Sequence, residues 1–435
     1  PPVFVEALSK LQDQVPSREF SKVKSQVCKA LGSKVKFEDV FKDFETEPIA
    51  AASIAQVHKA RLKNGRNNKQ LNEVVAVKVQ HVGIEPVMRA DLQALDWVTR
   101  LIAWSEPEYN FEPIMTEWRN EAIKELDFCR EHENVNIVAK GLNDKSDFNV
   151  WVPTTVDQLQ PAKEMMVLEY AKNSVKVTDV ETLKKYNVNF DVLLEDITKA
   201  FAHQMFHIGV FSGDPHPGNI LVELPSPSNG ENARAVLLDF GLAKRLSNKM
   251  RLAFAKLVVA SADKDYFMLL ESFDEMGLKL NRLDSEGDVD AMRFLFRDTA
   301  PPKEARSQLR KYDKAMKQKV KVRRERKVVK PVDAFPGDLL FFLRAQDLLR
   351  GLCSTLNVRQ SPLKIFSVSS RKALEIAMGE SNNVPLLNHI KEHSAFQRIG
   401  NENNINTELE VKLKSVLNNL QVLNKIVGCQ IAVTH

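Results

Sequence analysis

The stretch Ser212-Gly213-Asp214-Pro215-His216-Pro217-Gly218-Asn219-Ile220-Leu221-Val222 leads, through a turn bearing Pro225, Pro227, Asn229 and Gly230, to Ala235-Val236-Leu237-Leu238-Asp239-Phe240-Gly241. Ile220–Val222 and Ala235–Leu238 are short and apolar and read as two strands flanking that turn. A polar loop enters the first strand, and another leaves the second. Pro215 and Pro217 restrict the backbone between Asp214 and Asn219 and so pre-organise the first loop. A carboxylate held there can orient an attacking hydroxyl and accept its proton. Asn219 and Asp239 are hard oxygen donors of the kind Mg²⁺ takes. The set suits phosphoryl transfer, with Asp214 as the acid–base group and Asn219 and Asp239 as metal ligands. The bland alternative is a Pro/Gly turn plus an unrelated D-F-G tripeptide. Two motifs in order, each beside an apolar strand, argue against it.

Working toward the N-terminus, Val75-Ala76-Val77-Lys78 stands where kinases carry V-A-I-K, and the Asp214-to-Asn219 spacing is that of H-R-D-x-x-x-x-N. Lys78 is then expected to bind the α/β-phosphates as a point charge. An acid from the next helix should pair with it. Glu121, Glu125, Asp127 and Glu131 offer two acidic faces at i,i+4, and spacing does not choose between them. Glu169 ends the apolar run Met165–Leu168, where a hinge would meet adenine; an ordinary strand-end acid is the alternative. Two usual kinase parts are replaced. The Gly-rich loop gives way to Ala50-Ala51-Ala52-Ser53-Ile54-Ala55, so Ala51, Ala52 and Ser53 would line the phosphates, and alanine disfavours the positive φ that turns N–H groups toward them. No A-P-E follows D-F-G. The chain enters a helix at Ser247, leaving no platform for an extended peptide.

The remainder reads as an α+β chain, strands with a few helices and then mostly helices. At 435 residues, 43% apolar and 27% charged, it is long enough for two to four domains and has a core-forming composition. Only 16 glycines exclude Gly-rich low-complexity classes. Phe4, Leu8 and Leu11, then Phe20, Val23, Val27 and Leu31, are helical stripes within 1–45. Lys63–Asn68 is read as a hairpin turn. Helices are expected over about 87–104, 113–138 and 190–208, the last closed by Gly209. From Ser247 to about Met378 the chain reads as helical, broken at Pro301-Pro302 and Pro336-Gly337. Residues 380–408 are a polar linker, and a helix is expected near 408–424. Four scattered cysteines form no metal spacing and fit a reducing compartment. The chain opens Pro1-Pro2 and is read as a segment of a longer protein, so the lack of a targeting peptide carries no information.

Charge is uneven. Residues 301–330 hold thirteen Lys/Arg against three Asp/Glu, a balance of +10 within a chain of +5. Such a block is commonly a solvated helix or linker; an anionic lipid or membrane surface is the partner it would fit. No aromatic interleaving or motif supports nucleic acid.

Taken together, these motifs resemble the ABC1/UbiB family of atypical kinases over about residues 3–378. The resemblance rests on A-A-A-S-I-A-Q-V-H at 50–58, V-A-V-K-V-Q-H at 75–81, E-L-D-F at 125–128 with Glu131, G-D-P-H-P-G-N at 213–219, and L-D-F-G-L at 238–242. Phe335–Asp338 through Leu352 resembles the family's C-terminal helices. It implies a two-lobed protein-kinase-like fold with extra helices at both ends. The expected division is a helical extension (1–45), an N-lobe (46–170), a C-lobe (171–300), a C-terminal helical extension (301–379), the linker, and from 409 a segment resembling the opening of a β-lactamase-like domain. It also implies ATP or ADP with Mg²⁺, Lys78 paired with Glu131, Glu125 and Asp127 as the family's E-x-D, and a role in ubiquinone or other prenyl-lipid metabolism, often in mitochondria or plastids. The family's K-x-G-Q motif occurs nowhere here and is expected upstream of Pro1. Two alternatives remain open from the sequence: a pseudokinase-type ATP-binding scaffold, and a phosphotransferase of the aminoglycoside-kinase type.

Overall fold

The computed structural model describes residues 17–63, 73–105, 116, 119–120, 122–156, 159–226, 232–263, 265–277, 279–280, 307, 310, 332–334 and 337–380. Helix α1 (Phe20–Leu31) buries Val23, Gln26 and Val27 on one face. A single turn, α2 (Phe37–Val40), leads directly into strand β1 (Phe41–Phe44). Helix was expected throughout this region. Phe37, Phe41 and Phe44 instead form an aromatic cluster with ring centroids 5.2–5.3 Å apart, and Phe41 pairs with Leu62 in a strand ladder. Aromatic residues favour such half-buried pleats.

Strands β2 (Ala50–Ala51), β3 (Ala55–Leu62), β4 (Val74–Gln80) and β6 (Met165–Glu169) complete a five-stranded antiparallel sheet ordered β1-β3-β4-β6, with β2 beside β3. The side-chain period of two decides what β4 does. Val75, Val77 and Val79 are at most 1% exposed and pack with Val23 and Val27 of α1. Each such valine contributes about 1.5–3 kcal/mol by leaving water. Lys78, between two of them, must point from the other face.

Helix α3 (Ile84–Ser105) follows. The expected continuous helix over 113–138 is interrupted: residues 125–126 form a turn, and α4 (Phe128–Leu142) starts anew. The cause is Asp127, whose carboxylate caps the helix by accepting from Cys129 N at 3.0 Å.

A second sheet has the order β5-β10-β9-β7, built from β5 (Val150–Trp151), β7 (Ser174–Lys176), β9 (Ile220–Glu223) and β10 (Arg234–Leu237). Helices α5 (Val180–Lys185) and α6 (Phe190–His203) lie between β7 and the catalytic region in sequence. Helix α6 runs on into a π-helical turn, Gln204–Ile208, and stops at Gly209, whose φ of +74° suits glycine. A third pairing, β8 (Val210–Ser212) with β11 (Ala243–Arg245), was not anticipated.

Beyond these lie α7 (Asn248–Asp263), α8 (Tyr266–Glu275), a short pair β12 (Lys279–Leu280) and β13 (Val332–Ala334), then α9 (Gly337–Thr355) and α10 (Pro362–Glu380). The β12–β13 pair stands where helix was expected on either side of the Pro301-Pro302 break. The Phe4–Leu11 stripe, turn residues 64–68, the basic block apart from 307 and 310, the segment from 381 and the terminal helix fall outside the described residues.

Contacts divide the chain into two units. The first holds the described residues up to Arg251 together with Gly337–Phe366, and so both large sheets. In the second, Lys256 is fully buried and ion-paired to Glu271 at 3.3 Å and Glu275 at 2.7 Å.

Candidate active site

Two strand registers bring the motif loops together. Leu237 pairs with Ile220 on β10–β9, and Ala243 pairs with Ser212 on β11–β8. The segments 213–219 and 238–242 are therefore pinned beside each other at both ends. Leu238 N donates to Asn219 O at 2.8 Å, and Gly213 N to Leu242 O at 2.6 Å. Within the first loop, His216 Nδ1 accepts from Gly218 N at 3.0 Å, capping the turn that presents Asn219.

Lys78 Nζ donates to Glu131 Oε1 and Oε2 at 2.7 and 2.9 Å, and stands 3.6 Å from Asp239 Oδ1. Of the four acids the spacing offered, Glu131 is thus the partner. Asp127 is the helix cap, and Glu121 lies outside the described residues. Burial works against charge on Lys78, but Asp239 and Glu131 outweigh it and raise its pKa. Burial also pushes the Glu131 carboxyl up, against the pull of Lys78. The two bonds to the ammonium hold the pair ionised. Glu125 is pushed up to about 7, first by burial and then by the charges of Asp239 and Asp214. Asp214, Asp239, Glu125, Glu131 and Lys78 thus share one electrostatic cluster.

Asp239 has φ +62°, a conformation that an L-residue other than glycine adopts at a cost of about 1–3 kcal/mol. Surrounding bonds enforce it. Gly241 N donates to Asp239 Oδ1 at 3.1 Å, and a Cβ on Gly241 would crowd both that oxygen and Glu131 at 3.3 Å. Asn134 Nδ2 donates to the Phe240 carbonyl at 3.0 Å, and Arg245 Nε donates to Asn134 Oδ1 at 2.9 Å. Helix α4 therefore holds the D-F-G turn as well as supplying Glu131. Asn134 carries no motif signal. Only its place, three residues beyond Glu131 on the same helix face, could have pointed to it.

The alanine-rich loop is a tight hairpin. Ala50 and Ala51 pair with Val57 and Gln56, and Ala52 N donates to Ala55 O at 2.8 Å. His81 Nε2 lies 3.0 Å from Ala52 O, and His81 N donates to Ile54 O at 2.8 Å, tying the loop to the end of β4. Gln56 is bound to the Arg18 backbone and lies 2.8 Å from the buried His58. Burial lowers the pKa of His58 and His81, so both act as neutral spacers of the loop. Ala52 and Ser53 are exposed at the tip. Glu169 ends β6, and its carboxylate accepts from Thr154 N and Oγ1 at 2.8 and 2.9 Å, fastening that strand end.

The donor set fits Mg²⁺. Asp239 offers a carboxylate on a side chain 42% exposed, and Asn219 offers an amide oxygen on the neighbouring loop. No cluster of three or more His, Cys, Asp or Glu suited to a metal occurs among the described residues.

A strand lysine bound to a helix glutamate, beside a D-F-G aspartate and a loop acid, defines a protein-kinase-like site with an alanine-rich loop. The ABC1 atypical kinase-like domain family matches residues 10–273, and the chain belongs to that family. It is 28% identical over 386 residues to AarF domain-containing kinase 1 of Drosophila melanogaster, covering 87% of this chain and 70% of that protein. It is 31% identical over 281 residues to the probable protein kinase UbiB of Vibrio atlanticus, covering 64% of this chain but 49% of the relative. A solved structure of Rv3197 from Mycobacterium tuberculosis with erythromycin shares the fold, at a TM-score of 0.53 and 21% identity, covering 83% of this chain and 85% of that one. Membership of the ABC1 family sets aside the aminoglycoside-kinase type.

Proposed function

We propose that the chain is an atypical kinase or ATPase that binds Mg²⁺–adenine nucleotide and acts in ubiquinone or other prenyl-lipid metabolism, with an anionic lipid surface as a partner. The observation that carries the nucleotide reading is the Lys78–Glu131 pair within 3.6 Å of Asp239. The metabolic reading draws on the name of the UbiB relative. Lys78, steadied by Glu131, would meet the α/β-phosphates, and Asp239 and Asn219 would hold the metal. Bound Mg²⁺ would supply charge neutralisation at the phosphates. Asp214 would orient the acceptor hydroxyl or water and take its proton. Glu169, turned toward Thr154, would act through the backbone it fixes at the hinge.

A nucleotide-binding scaffold is the second reading, favoured by one contact: Arg344 Nη2 donates to Asp214 Oδ1 at 2.5 Å, so the acid is engaged. One experiment separates the two. Asp214→Asn should lower ATP turnover by about 10²-fold or more while thermal stabilisation by MgADP persists. Asp239→Ala should abolish the Mg²⁺-dependent part of that stabilisation. A wild-type protein that binds nucleotide but never turns it over is a scaffold.

A further inference from the structure

Helix α9 carries one cation to the catalytic loop. Asp338, Phe341, Arg344 and Leu348 recur at steps of three and four and so share a helix face. That face is anchored at several points. Lys244 Nζ pairs with Asp338 at 3.0 Å and lies 5.4 Å from the Phe341 ring centre. The Phe341 ring packs so closely on Gly213 that a Cβ there would stand 3.0 Å from it and 2.6 Å from the Leu242 carbonyl. Leu348 joins Pro215 and Leu237 in lining the recess beneath the loop. Arg344, between these anchors, donates to Asp214 at 2.5 Å.

Residues 214–219 read Asp-Pro-His-Pro-Gly-Asn and contain no lysine or arginine. Lys78, held by Glu131, is assigned to the α/β-phosphates and not to the terminal group. Yet a phosphoryl group in transfer spreads negative charge over three equatorial oxygens, and the site is rich in carboxylates. A guanidinium fork matches phosphoryl oxygens, and it keeps its charge at any working pH. The Arg344 and Asp214 side chains are 39% and 53% exposed, and a pair so open to water is weak and exchanges partners readily. Resting on the nucleotide reading above, we infer that Arg344 is the phosphoryl-binding cation of this site: it pairs with Asp214 in the free protein and turns to the terminal phosphoryl group of a bound nucleoside triphosphate.

The test compares equilibrium binding of MgADP and of a non-hydrolysable Mg–triphosphate analogue, by calorimetry, in wild type, Arg344→Ala and Arg344→Lys. Loss of charge-assisted bonds should weaken the triphosphate analogue about tenfold relative to the diphosphate in Arg344→Ala. Arg344→Lys, which keeps charge but not the fork, should show a smaller change in that ratio, and it serves as the readout should the alanine variant unfold. If both nucleotides bind and the ratio stays at the wild-type value in both variants, the assignment of Arg344 is overturned alone. If wild type binds neither nucleotide, the reading it rests on falls with it.

Discussion

Asp239 and Glu125 show what the site costs the free protein. Asp239 holds φ +62°. Glu125 keeps its proton to about pH 7 because burial and the charges of Asp239 and Asp214 oppose its ionisation. The folded pKa lies above the ordinary value of 4.5, so between these values the unfolded chain has released a proton that the folded chain retains. Stability is thus lost as pH rises through that window, and the loss is complete above about 7. Glu125→Gln removes the effect. In metal-free buffer it should match wild type near pH 4.5 and be the more stable protein at pH 8, by at most about 3 kcal/mol, a ceiling because Glu125 keeps some access to water. Urea melts at the two pH values check this. An offset of equal size at both would show that Glu125 does not titrate in this way.

At the scale of elements, α4 is the piece that joins the phosphate-side lysine to the D-F-G turn. Its start depends on the Asp127 cap, so Asp127→Ala should cost about 1 kcal/mol, whereas Asp127→Asn, which can still accept from Cys129 N, should cost only a few tenths. Equal losses in thermal melts would assign Asp127 a charge role instead. The strands that matter most were legible. Val75-Ala76-Val77-Lys78-Val79 alternates, and 220–222 and 235–238 are apolar runs bounded by turn residues. Other features were not. The β8–β11 pair has three residues on each strand and joins segments some thirty residues apart, too short for alternation to register. The start of α4 was hidden because Glu121/Glu125 and Asp127/Glu131 each keep the i,i+4 spacing of a helix on either side of the break. Arg344 carries no local signal at all, since its partner lies 130 residues away in sequence.

For the whole molecule, two features, one on a helix and one in the sequence, have no use within the site. On α3, Trp97, Leu101 and Trp104 follow at four- and three-residue steps and are 71%, 61% and 81% exposed, an apolar stripe with an interfacial character. In the sequence, residues 301–330 carry thirteen basic side chains. Among the described residues no helix is long and apolar enough to cross a membrane. Attachment to an anionic lipid surface is expected to draw on the basic block and the apolar stripe, each basic residue near such a bilayer adding about 1 kcal/mol. Even partial engagement should give measurable binding that salt weakens. The protein should float with anionic vesicles and not with neutral ones at low salt. Reversing Arg323, Arg324, Arg326 and Lys327 to Glu should reduce that flotation, and replacing Trp97 and Trp104 with Ala should reduce it further. With D-F-G running through β11 into α7, generic peptides should be poor phosphoryl acceptors in the same preparation. Equal flotation with both vesicle types would return the basic block to a solvated segment, and efficient peptide phosphorylation would move the acceptor from lipid chemistry to protein.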